Sequence, residues 1–172
     1  MVKRIETAQA QIVVCGINMV SEAGQVLFSR FVDEKEYSAE EALRSFLLGQ
    51  VFENGVWNKL FRKDLIENVD FVAGRRMNED IFFIYEAFCN VEKVATCGVV
   101  GYNYYERKGS ASHSTFSDRW FDNSYFAHKI YELTLDHFPQ LEQVARSYLL
   151  RSQYHLLRLM YSSGVEEQYK EE

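Results

Sequence analysis

RRMNEDIFFIYEAF, residues 75–88, combines a helix signal with a possible catalytic one. Ile81, Ile84, Tyr85 and Phe88 fall at i, i+3, i+4 and i+7, the apolar stripe of a helix packed against a core. Asn78 stands where an N-cap acceptor belongs, which puts Glu79 and Asp80 in the first turn. Carboxylates are favoured at that end of any helix, because they meet unpaired amides and the positive end of the dipole. The same position suits a general base, since an ionised carboxylate at a helix mouth can take the proton of an incoming hydroxyl. On residue types alone both readings stand.

Two flanking stretches carry further candidates. In VWNKLFRKDLI, residues 56–66, Trp57, Leu60, Phe61 and Leu65 fall at helical spacing, with a short helix expected around Lys63 to Glu67. Trp57 is either a core anchor or a flat apolar surface on which a sugar ring can lie. Lys59 is either a solvated charge or a group that neutralises a phosphate or carboxylate. Downstream, KVATCGVVGYNYYER, residues 93–107, is rich in β-formers and reads as one or two strands ending in the polar loop RKGSASHS. That loop is either a simple surface connection or a place where Arg107, Lys108 and Ser110 close over a diphosphate.

The rest of the chain supplies the frame. QIVVCGINMV and QVLFSRFV, joined by SEAG, predict a hairpin over Gln11 to Val32 turning at Gly24. Ser38 followed three residues later by Glu41 is a capping-box pattern and predicts a helix from Ser38 to Leu48, ending near Gly49. Segments 117–138 and 140–163, separated by Pro139, predict an antiparallel helical pair. The expected class is α/β, here a mixed α and β arrangement in which residues 1–116 form a partial mixed sheet with flanking helices. Residues 117–172 are expected as a helical extension packed on it.

Composition narrows the function classes. With 172 residues, 47% hydrophobic and 26% charged, the chain has the make-up of one globular domain with a real core. A net charge of -6 with scattered basic residues argues against a nucleic-acid partner. Three separated cysteines, Cys15, Cys89 and Cys97, suit reduced thiols in a cytoplasm better than a disulfide frame. No stretch is apolar for long enough to span a bilayer, so the expected location is cytoplasmic, with any membrane association peripheral at the inner face. There is no glycine-rich phosphate loop, nucleophile elbow, zinc motif or D-x-D, and the four histidines are too dispersed to form a local ligand set.

Taken in order, the strand IVVCG, then VWNKL, NEDIFFIYEAF and GYNYYERKGSAS resemble the second half of a family 2 glycosyltransferase of the GT-A fold, over about Gln11 to Ser114. The resemblance implies an inverting transfer of sugar from a nucleotide-sugar to a glycan or lipid-linked acceptor, of the kind that builds cell-envelope polysaccharide. It makes Asp80 the general base and has Glu79 help to hold the acceptor. Trp57 and Lys59 fall in the acceptor-side segment, and Arg107, Lys108 and Ser110 near the donor diphosphate. Intact members bind a divalent cation, Mn or Mg, through a D-x-D. With no D-x-D here, no metal ligand or cofactor is expected in this chain, which reads as truncated and inactive alone or dependent on a partner chain. The absence of Q-x-x-R-W argues against a processive synthase. The competing expectation is a non-catalytic module that self-associates as a homo-oligomer through the surface a missing half leaves uncovered.

Overall fold

The computed structural model describes residues 1–106 and 116–169. Two strands carry the architecture. β1 (Ile12–Val20) and β5 (Lys93–Tyr105) run parallel at the middle of a mixed sheet in which Ile12 pairs with Val94 and Val20 with Tyr105. β3 (Glu36–Ser38) adds antiparallel to the far side of β5. The other side of β1 is shared: β2 (Val26–Arg30) pairs with its second half and β4 (Lys59–Phe61) with its first half, both antiparallel. The expected hairpin is present, with Gly24 in the left-handed region at φ +82° in its turn.

β1 is buried on both faces because side chains alternate across the pleat. Ile12 and Val14 face the main core, while Val13 and Cys15 pack with Ile5, Ala8 and Ala10 of and around α1 (Val2–Thr7). The main core is closed by α2 (Ala39–Leu47) and α4 (Glu79–Cys89). Ser38 and Glu41 make both reciprocal bonds of a capping box at the start of α2. The stripe Ile81, Ile84, Tyr85 and Phe88 is buried throughout, and Phe88 meets Phe46 and Phe52 edge to face.

The segment after Gly55 departs from its helical spacing. Val56–Asn58 is a single 3-10 turn and Lys59–Phe61 is a strand, so Leu60 and Phe61 fall on opposite faces of the sheet instead of on one helix face. Sheet pairing with Ile12 to Val14 overrides the local pattern. The short α3 (Lys63–Ile66) follows as expected. Residues 93–105 form a single strand.

Residues 117–163 form the antiparallel pair α5 (Phe121–His137) and α6 (Glu142–Ser163), with Pro139 in the connecting 3-10 turn. Ser124 contacts Gln153 near one end and Tyr131 contacts Glu142 near the other. Ile130, Leu141 and Ala145 belong to the same core as β1 and α4, and the Tyr85 hydroxyl lies 2.6 Å from that of Thr134. These helices therefore complete the core. Among the described residues no helix is long and apolar enough to cross a membrane.

Candidate active site

A cleft of about 430 Å³ opens between the ends of β1 and β5, the 53–57 loop and the mouth of α4. Asp80 lines it together with Glu53, Trp57, Tyr104 and Glu106. Asp80 Oδ1 accepts from the Ile81 amide at 2.9 Å, which fixes the carboxylate at the helix start. Burial raises the Asp80 pKa above the ordinary carboxylate value, and Glu79 adds to this; the Ile81 amide and the Lys59 charge act against it. A carboxylate with increased proton affinity at the wall of an open cleft is placed to act as a base. Glu79 is not among the residues lining that cleft.

Trp57 reaches the cleft, but its indole is already used inside the protein. It stacks on Tyr102, with centroids 4.7 Å apart, and leans on Tyr104 at 5.1 Å. It also lies so close over Gly55 that a Cβ there would fall 2.0 Å from the indole nitrogen. The ring is thus a buttress joining the 53–58 loop to β5, with part of its surface left on the cleft.

Lys59 is neither solvated nor turned to a ligand. Its ammonium donates to the carbonyls of Glu53 and Gly55, each at 2.7 Å, and to Asn58 Oδ1 at 3.0 Å, which uses all three of its protons. Burial pushes its pKa down to about 7, against the pull of Glu53 and Asp80. Asn58 in turn donates to the Cys15 carbonyl at 2.9 Å, anchoring the loop to β1. Lys59 and Asn58 therefore shape the wall that Glu53, Asn54 and Gly55 present to the cleft.

Asn78 differs from its expected role. It precedes α4 but adopts the left-handed region at φ +65°, and its side chain makes no cap bond. Instead its amide donates to Asn123 Oδ1 at 2.7 Å. The adjoining Asp122 accepts from the Arg75 guanidinium at 2.6 Å and from the Arg76 amide at 3.0 Å, while Arg75 lies 4.1 Å over the Tyr125 ring. The first turn of α5 thus holds the loop that presents Asp80. Only the acidic residue early in that helix hinted at this.

The described residues do not fit a resident divalent cation. Among the described residues no three His, Cys, Asp or Glu side chains come together in a way that could hold a metal ion. Glu53 is paired at 2.5 Å with Arg30, and Asp80 sits within reach of the Lys59 charge. The loop residues Arg107, Lys108 and Ser110 lie outside the described residues.

Comparison with solved structures finds the TarS glycosyltransferase of S. aureus, residues 1–349, in complex with UDP-GlcNAc, at a TM-score of 0.60 and 16% identity. The fold is similar to that of a glycosyltransferase. A second crystal structure of the same TarS segment gives a TM-score of 0.53, also at 16% identity. The matches cover 94% of this chain but only 43% and 41% of the TarS chain, so the present chain spans less than half of TarS 1–349. No protein-family model matches the sequence, and no curated protein matches it either.

Proposed function

We propose that this chain is the acceptor-side part of an inverting, family 2-like sugar transferase of the GT-A type, with Asp80 as its general base. The observation that carries the reading is the position of Asp80: fixed at the first turn of α4, half-buried, with raised proton affinity, on an open cleft. In this reading an acceptor hydroxyl enters the cleft and hydrogen-bonds to Asp80. As its oxygen forms a bond to the anomeric carbon, the proton passes to Asp80. The bond from that carbon to the nucleoside diphosphate breaks on the opposite face, and the electron pair leaves with the diphosphate, inverting the configuration.

The donor grip is assigned to residues outside the cleft, because the sequence has no D-x-D and, among the described residues, no group of carboxylates could hold a cation. Arg107, Lys108 and Ser110 are proposed to approach the donor, Glu79 to help position the acceptor, and Mn or Mg to act in a completed enzyme. Since the similar TarS structure holds UDP-GlcNAc, a UDP-sugar is the first donor to try.

The test is a transfer assay with Mn²⁺, nucleotide-sugars and glycan acceptors, run on the chain alone and co-expressed with the reading frame immediately upstream. We expect no turnover alone, turnover with the upstream product, and loss of it in Asp80→Asn. Turnover that survives Asp80→Asn overturns the base assignment, and no turnover in either arrangement overturns the transferase reading.

A second reading is favoured by one surface feature. The edge strand β2 exposes Val26, Leu27 and Phe28, and Phe31 beyond it is 74% exposed. An uncovered apolar edge tends to pair with another chain. Light scattering decides this: a monomer at high concentration removes the self-associating module from consideration.

A further inference from the structure

Helix α6 is apolar on two faces. Ala145, Leu156 and Met160 turn inward and are buried in the fold. On the opposite side Leu150, Tyr154, Leu157 and Tyr161 are 53% to 69% exposed. Their spacing of four, three and four residues keeps them in one line along the helix, about 16 Å long. With the inner face already packed, this second line of large apolar side chains marks a surface for something outside the fold.

The charges around the line say what kind of surface it meets. Residues 143–165 contain three arginines and no Asp or Glu, in a chain of net charge -6. Arg146 flanks the line on one side and Arg151 and Arg158 on the other. Arg151 donates to the Leu47 carbonyl, but Arg146 and Arg158 are exposed and form no ion pair among the described residues. Ser124 of α5 meets Gln153 of α6, so the exposed carboxylates Glu132 and Asp136 of α5 lie towards the other end of the antiparallel pair, and Asp118 accepts from the Tyr169 hydroxyl.

We infer that the outer face of α6 docks on an anionic lipid surface, with Leu150, Tyr154, Leu157 and Tyr161 entering the headgroup region and Arg146 and Arg158 meeting lipid phosphates. An apolar line and a basic flank are the two contributions that hold a helix at such an interface. The tyrosines favour lipid over an acidic partner helix. Tyr154 and Tyr161 fall at the same position of a heptad, where a helical seam takes branched aliphatic residues, whereas an apolar ring with a polar tip suits the edge of a bilayer. A second copy is disfavoured because antiparallel packing of two α6 helices would bring their Arg151 and Arg158 flanks together. The inference does not rest on the transferase reading, and lipid binding is measured without donor or acceptor.

The full chain is sedimented with phosphatidylcholine vesicles and with vesicles in which half of the lipid is phosphatidylglycerol. Binding to the anionic vesicles is expected to be at least about tenfold tighter, and to fall as salt rises. Arg146→Gln combined with Arg158→Gln should weaken it about tenfold or more, since each charge at the surface is worth about fivefold. Leu150→Gln combined with Leu157→Gln removes half of the apolar line and should weaken it about tenfold or more. All four positions are exposed, so these variants should unfold at the temperature of the parent. In Tyr154→Trp, brominated acyl chains should quench the added emission.

Phe31→Gln, on the exposed edge beyond β2, should bind as the parent does. Equal binding to both kinds of vesicle, binding to neither, or a loss in Phe31→Gln that the α6 variants do not share overturns the proposal. So does a dimer that forms without vesicle binding and dissociates in the Leu150→Gln, Leu157→Gln variant, which would give this face to a second copy.

Discussion

The side-chain amide of Asn78, at the mouth of α4, donates to Oδ1 of Asn123 in the first turn of α5, 45 residues away, at 2.7 Å. Asn123 is buried, and its own amide continues to the Ser152 carbonyl at 3.5 Å. Asp80 is therefore positioned through a chain of contacts from α6 through α5 to the loop before α4. Asn123→Ala leaves Asn78 without its partner and should cost about 1 to 2 kcal/mol in urea unfolding. It should also speed amide exchange in the first turn of α4 more than at the centre of β1. Uniform acceleration across the fold would show that the contact is not a local anchor.

Asp122 offers an independent check on the same anchor. Its carboxylate holds both the Arg75 guanidinium and the Arg76 amide, and the residue is 8% exposed. Asp122→Ala strands a half-buried guanidinium and a backbone amide, and should destabilise the protein by about 1 to 3 kcal/mol. Paired with Arg75→Ala, it should show a coupling that Asp122→Ala with a distant surface variant lacks.

Gly55 has ordinary backbone angles, so its need for glycine is one of space. Gly55→Ala places a methyl 2.0 Å from the Trp57 indole nitrogen, and the ring must leave its stack on Tyr102 and Tyr104. The expected cost is about 1 to 3 kcal/mol, with a change in near-ultraviolet dichroism from the released indole. An unaltered aromatic spectrum would contradict the packing described.

Lys59 gives a pH dependence. In the folded protein its pKa is lowered from 10.5 to about 7, chiefly by burial. Between those values the unfolded chain binds the proton that the folded chain has released, so unfolding takes up a proton and stability rises with pH. Above pH 9 the thiols of buried Cys15 and half-buried Cys89, whose pKa values are raised mainly by desolvation, act in the opposite sense. The window to examine is therefore pH 7 to 9, where Lys59 contributes a gain of at most about 1.4 kcal/mol per pH unit. Denaturant midpoints for Lys59→Met should be flatter over that window than for the parent.

Much of the architecture was legible from local pattern. The capping box of Ser38 and Glu41, the hairpin around Gly24, the stripe from Ile81 to Phe88 and the break at Pro139 depend on neighbours within a few residues, where periodicity and cap chemistry act directly. Trp57, Asp80 and Tyr104, from three separate segments, line one cleft, while Glu79 and Lys59 do not.

Local pattern did not determine what those side chains do. Trp57 lines the cleft with its ring stacked on Tyr102 and Tyr104, and Lys59 lies behind the wall, held by the carbonyls of residues 53 and 55. Asn78 gave up its cap for Asn123, and the spacing of Leu60 and Phe61 yielded to pairing with β1. The sequence by itself determined the elements and the order in which they occur. Tertiary structure decided the left-handed turn at Asn78, the anchoring of the α4 mouth by α5 and the cleft on which Asp80 stands. Each arises from contacts between residues tens of positions apart, whose energies depend on burial and geometry that no local spacing encodes.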